Sequence, residues 1–140
     1  MIVVDASVLA PALADDGADG EHARQRLRGE RLAAPELVDL EVASVLRRLC
    51  LTGRLPLRRA VLAMSDLLAL PVRRVSHRAL LARCWELRDN LTVSNACYVT
   101  LAEQLNVTLV TADARLAGAP GLRCKIDLMT SPKAEPEALP

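Results

Sequence analysis

Ile2-Val3-Val4-Asp5-Ala6-Ser7 and Thr108-Leu109-Val110-Thr111-Ala112-Asp113, far apart along the chain, decide its fold class. Each is a brief β-branched run that ends in an aspartate and adjoins a helical segment. Such a run suits the interior of a parallel sheet, where strands are buried on both faces. In open α/β sheets, ligands sit beyond the carboxyl ends of the strands, so Asp5 and Asp113 are expected on one rim of one sheet. Two nearby carboxylates repel each other unless protons or a cation neutralise them. The functional reading of the pair is therefore a divalent metal site. The structural reading is that each aspartate is a helix N-cap, accepting orphan backbone N–H groups, with Ser7 sharing that work and Arg115-Leu116-Ala117 forming one helical turn.

Between these runs, strands and helices alternate. Val8 to Ala14 reads as a helix, Asp15 to Gly20 as a loop, and Glu21 to Arg28 as a second helix ending near Gly29. Leu32-Ala33-Ala34 is a short second strand. Pro35 opens the next helix at its first turn, and that helix runs from Glu36 to Gly53, a C′ residue. Pro56 to Ala69 is helical and is stopped by Pro71. Val72-Arg73-Arg74-Val75 is a third strand, after which Ser76 caps a helix over His77 to Arg88. A helix over Thr92 to Leu105 precedes the Asp113 strand, and Cys124 to Leu128 is a final edge strand. This alternation predicts a parallel sheet covered on both faces. One domain is expected over residues 1–128, with a disordered tail over 129–140, rich in Pro, Ala and Glu.

The chain has 140 residues, 51% of them apolar, enough for one domain with its own core. No stretch approaches the ~20 continuous apolar residues of a membrane span. The first residues lack the basic and apolar regions of a signal peptide, so a cytoplasmic protein without a membrane partner is expected. Cys50, Cys84, Cys97 and Cys124 form no Cys-x-x-Cys pair and read as reduced thiols. With His22 and His77 the sole histidines, a zinc site is disfavoured.

The net charge of +1 conceals an uneven distribution. Residues 42–85 hold nine Arg against the single acid Asp66, whereas residues 1–41 hold nine acids and four Arg. A basic middle can grip a polyanion while an acidic cluster elsewhere holds a metal; the alternative is a solvated, arginine-rich helix face. The aromatics are Trp85 and Tyr98, with no Phe. Base stacking needs aromatic surface, so any nucleic acid is expected to be gripped by its phosphates, which guanidinium forks suit. Met64 and Trp85, at core spacing, read as packing residues.

On the Glu36–Gly53 helix, Val38, Val42, Val45, Leu46 and Leu49 form one apolar stripe. Glu41 and Asp39 border it on opposite sides, and periodicity does not choose between them. On the Thr92–Leu105 helix the stripe is Leu91, Tyr98, Leu101, Ala102 and Leu105, with Asn95 near its border in the first turn. Helix N-termini favour an anion, yet this position carries a neutral amide; the structural reading is a surface or cap-supporting Asn. His77 reads as a first-turn surface residue. There is no Ser/His/Asp set, glycine-rich phosphate loop or Walker motif.

The pieces IVVDASVL, APELVDLEVASVLRR, LRDNLTVSNACYVTLAEQL and VTLVTADARLA follow one another in that order. Together, over residues 1–128, they resemble the PIN domain, and specifically the VapC-type ribonuclease toxins of toxin–antitoxin pairs. The resemblance implies a three-layer α/β/α sandwich around a central parallel sheet. It also implies Mg²⁺- or Mn²⁺-dependent cleavage of RNA by a quartet of acidic residues, a homodimer, and silencing by a VapB-type antitoxin. Carried across, the first acid falls on Asp5, with Ser7 in a nearby hydroxyl position, the second on Glu41 and the fourth on Asp113. The third falls on Asn95 of Thr92-Val93-Ser94-Asn95-Ala96-Cys97-Tyr98-Val99. An Asn offers a carbonyl oxygen to a metal but no charge, and it cannot act as a carboxylate base. Asp5, Glu41, Asn95 and Asp113 are thus the expected catalytic and metal-binding set, with activity weakened by the amide. The alternative is a catalytically silent PIN-fold protein that binds RNA or an antitoxin. A third reading, an aspartyl-phosphate enzyme using Asp5, expects Asp-x-Asp where this chain has Asp5-Ala6-Ser7.

Overall fold

The computed structural model describes residues 1–132. Its centre is a five-stranded, wholly parallel sheet built from β1 (Ile2–Val4), β2 (Leu32–Pro35), β3 (Val72–Val75), β4 (Leu109–Thr111) and β5 (Ile126–Leu128), in the spatial order β3-β2-β1-β4-β5. β1 is central because it can be buried on every side: Val3 and Val4 are wholly buried, as are Leu109 and Val110 beside them. Helices α1 (Ala6–Ala14), α2 (Ala18–Leu27), α3 (Leu37–Leu51), α4 (Leu57–Ala69), α5 (Leu81–Glu86), α6 (Val93–Leu105) and α7 (Ala114–Ala117) connect the strands, with a 3₁₀ turn at His77–Leu80 leading into α5.

Right-handed crossovers sort these helices into two layers. The steps from β1 to β2 and from β2 to β3 run one way across the sheet and put α1 to α4 on one face, where α1 packs on α2, α3 and α4. The steps to β4 and then β5 run back and put α5, α6 and α7 on the other, where α5 packs on α6. The direction reverses between β1 and β4. That reversal opens a crevice at the carboxyl ends of these two neighbours, the ends that carry Asp5 and Asp113. The three-layer α/β/α architecture is the expected one.

Leu109 is completely buried between the layers. Leu109→Ala is expected to cost about 2–5 kcal/mol and to lower the thermal midpoint followed by circular dichroism. A loss below about 1 kcal/mol would contradict this account of the sheet centre.

Several boundaries differ from the sequence expectation. The 15–20 loop is shorter, because α2 already begins at Ala18. Gly20 is required there: a Cβ at this position would collide with the Asp15 carbonyl. Pro35 closes β2 instead of opening α3. The His77–Arg88 helix is a 3₁₀ turn followed by a short α-helix ending at Glu86. This changes the reading of Trp85. Leu80, Cys84 and Leu87 form the buried stripe, so Trp85, one residue past Cys84, is rotated about 100° away from it. It is 63% exposed and is not a core residue; Met64 is partly buried against the core. Met129 donates its N–H to the Thr111 carbonyl, and Ser131 Oγ donates to Asp19, so the start of the expected tail lies on the body. Residues 133–140 lie outside the described residues.

All four cysteines are free thiols, with Cys84 and Cys97 buried side by side. Burial pushes the Cys97 thiol up to about 12, so it behaves as a small apolar group. The arginine-rich middle does not form one free face. Arg59 is tied to Asp16, Arg74 to Asp39, and Arg83 to Glu103 and Glu86. No helix among the described residues is long and apolar enough to cross a membrane.

Candidate functional site

Asp5 and Asp113 each cap a helix, as the structural reading expected, and they also flank the crevice. Asp5 is the N-cap of α1 and is buried, at 6% exposure. Its carboxylate accepts hydrogen bonds from Ser7 Oγ at 3.0 Å, Ser7 N at 3.3 Å and Thr111 Oγ1 at 2.6 Å. Thr111 ends β4, so the β1–β4 pairing that sets the sheet centre also delivers this donor. Its hydroxyl in turn accepts from Asp113 N at 3.0 Å, while Ser7 Oγ accepts from Ala112 N at 2.9 Å. These hydroxyls lock the two strand ends together and fix the Asp5 side chain.

Asp113 N-caps α7 and is gripped by Arg115, whose Nε and Nη2 lie 3.0 and 2.8 Å from its two oxygens. The Arg115 guanidinium holds the Asp113 carboxyl below the usual carboxylate range, and Asn95 acts in the same direction. Asn95 therefore stands beside Asp113, in the first turn of α6, where Thr92 Oγ1 accepts from its N–H at 3.2 Å. The cap-supporting reading of this Asn holds as well.

Periodicity left Asp39 and Glu41 equivalent; their partners separate them. Asp39 takes both its bonds from Arg74 Nε, at 2.8 and 3.1 Å, and joins α3 to β3. Glu41 instead turns to the crevice, where Tyr98 donates to its Oε1 at 2.5 Å. Burial pushes the Glu41 carboxyl above the usual range and the Asp5 charge adds to this, against the opposing effect of the Tyr98 hydrogen bond. Burial and the Glu41 bond together push the Tyr98 phenol far above its ordinary value, so it stays a neutral donor. Tyr98 is completely buried. The sequence reading placed it in the core stripe and missed this role, as it missed those of Thr111 and Arg115. The available signal was chemical: a buried Tyr hydroxyl requires a partner, and a Thr at the end of an apolar strand is a donor at the rim.

Tyr98→Phe removes the sole donor to Glu41 among the described bonds. A carboxyl raised in the fold binds its proton more tightly there than in the unfolded chain, so stability falls as pH rises from about 4.5 through the folded value. In Tyr98→Phe that window is expected to move upward and the loss to grow. Carboxyl-carbon NMR titration measures it directly; an unchanged Glu41 titration would contradict the assignment.

The donor set suits a hard cation. Among the described residues, neither Asp5 nor Glu41 forms an ion pair with Lys, Arg or His, although the two carboxylates feel each other's charge. Mg²⁺ is typically held by one or two carboxylates, its remaining positions taken by water and substrate phosphate. Asp5 and Glu41 fit that description. No three His, Cys, Asp or Glu side chains among the described residues converge as a metal-binding group. The expected quartet is laid out as two couples, Asp5 with Glu41 and Asn95 with Asp113, bridged through Thr111.

A doubly wound sheet with carboxylates at its switch point defines one class of α/β/α proteins. Comparison places the chain within it: the PIN domain profile matches residues 2–122. Ribonuclease VapC9 of Mycobacterium tuberculosis is 45% identical over 129 residues, covering 92% of this chain and 98% of the relative. The structure resembles that of VapC20 of Mycobacterium tuberculosis, a sarcin-ricin loop cleaving toxin, with a TM-score of 0.67 at 20% identity, covering 85% of this chain and 96% of that one. It also resembles VapBC2 from Rickettsia felis bound to a promoter DNA fragment, with a TM-score of 0.62 at 14% identity, covering 91% and 98%. The chain belongs to the PIN-domain family, in its VapC group.

Proposed function

We propose that this protein is the endoribonuclease toxin of a type II toxin–antitoxin pair, cutting RNA phosphodiester bonds with Mg²⁺ or Mn²⁺ bound at Asp5, Glu41, Asn95 and Asp113. The observation that carries this reading is the Asp5–Glu41 couple, two mutually repelling carboxylates at the sheet's switch point with no basic partner among the described residues. Asp5 and Glu41 would hold a divalent ion, which would supply a more acidic bound water and offset charge on the phosphate oxygens. The protein's own groups do the rest. Ser7 and Thr111 fix the Asp5 rotamer, and Tyr98 orients Glu41 through Oε1. Glu41, held by Tyr98 at the crevice, is a carboxylate placed to orient the attacking water or take its proton. Asn95 supplies a carbonyl oxygen but no charge, and this weakens the reaction.

Membership of the VapC group supports the wider assignment: a cytoplasmic protein that assembles as a homodimer and is silenced by a VapB-type antitoxin. The outer face of α4, with Leu57, Val61, Leu62 and Leu68 exposed, is the kind of apolar surface a protein partner covers.

The test is an RNA cleavage assay with Mn²⁺ or Mg²⁺, repeated with chelator. Metal-dependent cleavage that the chelator abolishes is expected. The amide at Asn95 favours one other reading, a silent RNA- or antitoxin-binding PIN protein. If neither this chain nor its Asn95→Asp form cuts RNA while both remain folded, that second reading replaces the first.

A further inference from the structure

A cleft of about 390 Å³ opens beside the carboxylates, lined by Arg88, Asp89, Asn90, Leu91, Thr92, Asn95 and Arg115. Asn95 and Arg115, the partner of Asp113, line it together with Arg88. The Arg88 guanidinium lies over the Trp85 ring, 4.9 Å from its centroid, while Nη1 donates to the Trp85 carbonyl at 2.8 Å. Trp85 is the chain's single tryptophan and is 63% exposed. Arg115, at the other end, is held by Asp113 alone among the described bonds, and its side chain is 79% exposed.

We infer that this cleft is the subsite for the single-stranded nucleotides flanking the cut, with Arg115 and Arg88 as phosphate contacts and the Trp85–Arg88 stack as the platform for a base. The assignment rests on the ribonuclease reading above and extends it to substrate positioning. The chemistry matches the ligand at each point. Two guanidinium groups separated by an amide and a hydroxyl track a phosphate backbone. A flat aromatic surface stacked with a guanidinium accepts any base, because every base has a π-face. Asp89, also on the lining, is a carboxylate that a phosphate avoids, so the two guanidinium groups are the phosphate contacts. The indole is one residue away from the stripe that buries Cys84 and, among the described residues, carries only the Arg88 guanidinium on its ring. Through Arg88, which lines the cleft and stacks on the ring, the indole adjoins the subsite.

Trp85 also reports on its own occupancy. With chelator present, so that nothing is cut, a fluorescein-labelled single-stranded RNA of about 12 nucleotides is titrated against the full chain. Anisotropy follows binding, and indole emission follows the platform. Saturable quenching of Trp85 in step with the anisotropy is expected. Trp85→Ala is expected to weaken binding about 10- to 100-fold. Arg88→Gln and Arg115→Gln should each lower the slope of log affinity against log salt by about one. Arg58→Gln, on the α4 layer across the sheet, should leave affinity within about twofold.

Binding without quenching, or equal losses from Arg58→Gln and Arg115→Gln, would overturn the assignment. So would unchanged RNA affinity in Trp85→Ala together with a change in sedimentation mass, which gives Trp85 to a protein interface. In those cases metal-dependent cleavage by the same preparation leaves the ribonuclease reading standing. Absence of both RNA binding and cleavage removes the two together.

Discussion

Asn95→Asp is expected to raise Mn²⁺ affinity by about 10- to 100-fold and to raise RNA cleavage by at least as much. The structure explains why so small a change has so large an effect. Residue 95 stands beside Asp113 and within one hydrogen-bonded network, through Thr111, of Asp5. A carboxylate there adds charge where the chain now offers an amide oxygen alone. It also lies in the first turn of α6, where a negative side chain suits the unpaired N–H groups, so the substitution does not threaten the fold. Calorimetric Mn²⁺ titration of both forms gives the affinity, and a cleavage assay gives the rate. Equal metal affinity in the two forms would remove residue 95 from the metal site.

The second large effect is at Asp5. Asp5→Ala deletes the acceptor for Ser7 and for Thr111, and Thr111 is completely buried. Losing that acceptor, with Ser7 Oγ at 3.4 Å the remaining partner, costs up to about 1–3 kcal/mol, which a thermal melt resolves. The functional loss is greater, because the substitution also dissolves the carboxylate couple; cleavage is expected to fall by about 10²–10³-fold or more. Asp5→Asn separates the two effects. It keeps an acceptor oxygen for Thr111, so most stability returns while activity stays low. Recovery of activity in Asp5→Asn would mean that Asp5 acts as a cap and nothing more.

Much of this was legible in the sequence, for identifiable reasons. Parallel strands buried on both faces must be apolar, so IVV and LVT announced the sheet centre, and the helical stripes announced the layers. The position of the aspartates followed from the strands they terminate. Asp39 and Glu41 were indistinguishable because helical periodicity reports distance from the core, not which neighbour waits there; Arg74 on β3 and Tyr98 on α6 decide it. Trp85 misled for a related reason. Leu81 and Trp85 have the same helical spacing as Leu80 and Cys84, so spacing did not tell which of the two adjacent stripes faces the core. The arginine-rich middle suggested a single basic face because charge counting along the chain ignores the carboxylates that folding brings to Arg59, Arg74 and Arg83.

The central claim is that Asp5 and Glu41 share one divalent cation beside residue 95. Anomalous diffraction from Mn²⁺-soaked crystals tests it directly. The account predicts a single manganese peak with carboxylate oxygens of both Asp5 and Glu41 about 2.1 Å away. A peak held elsewhere, or none at millimolar Mn²⁺ with both side chains ordered, would contradict it.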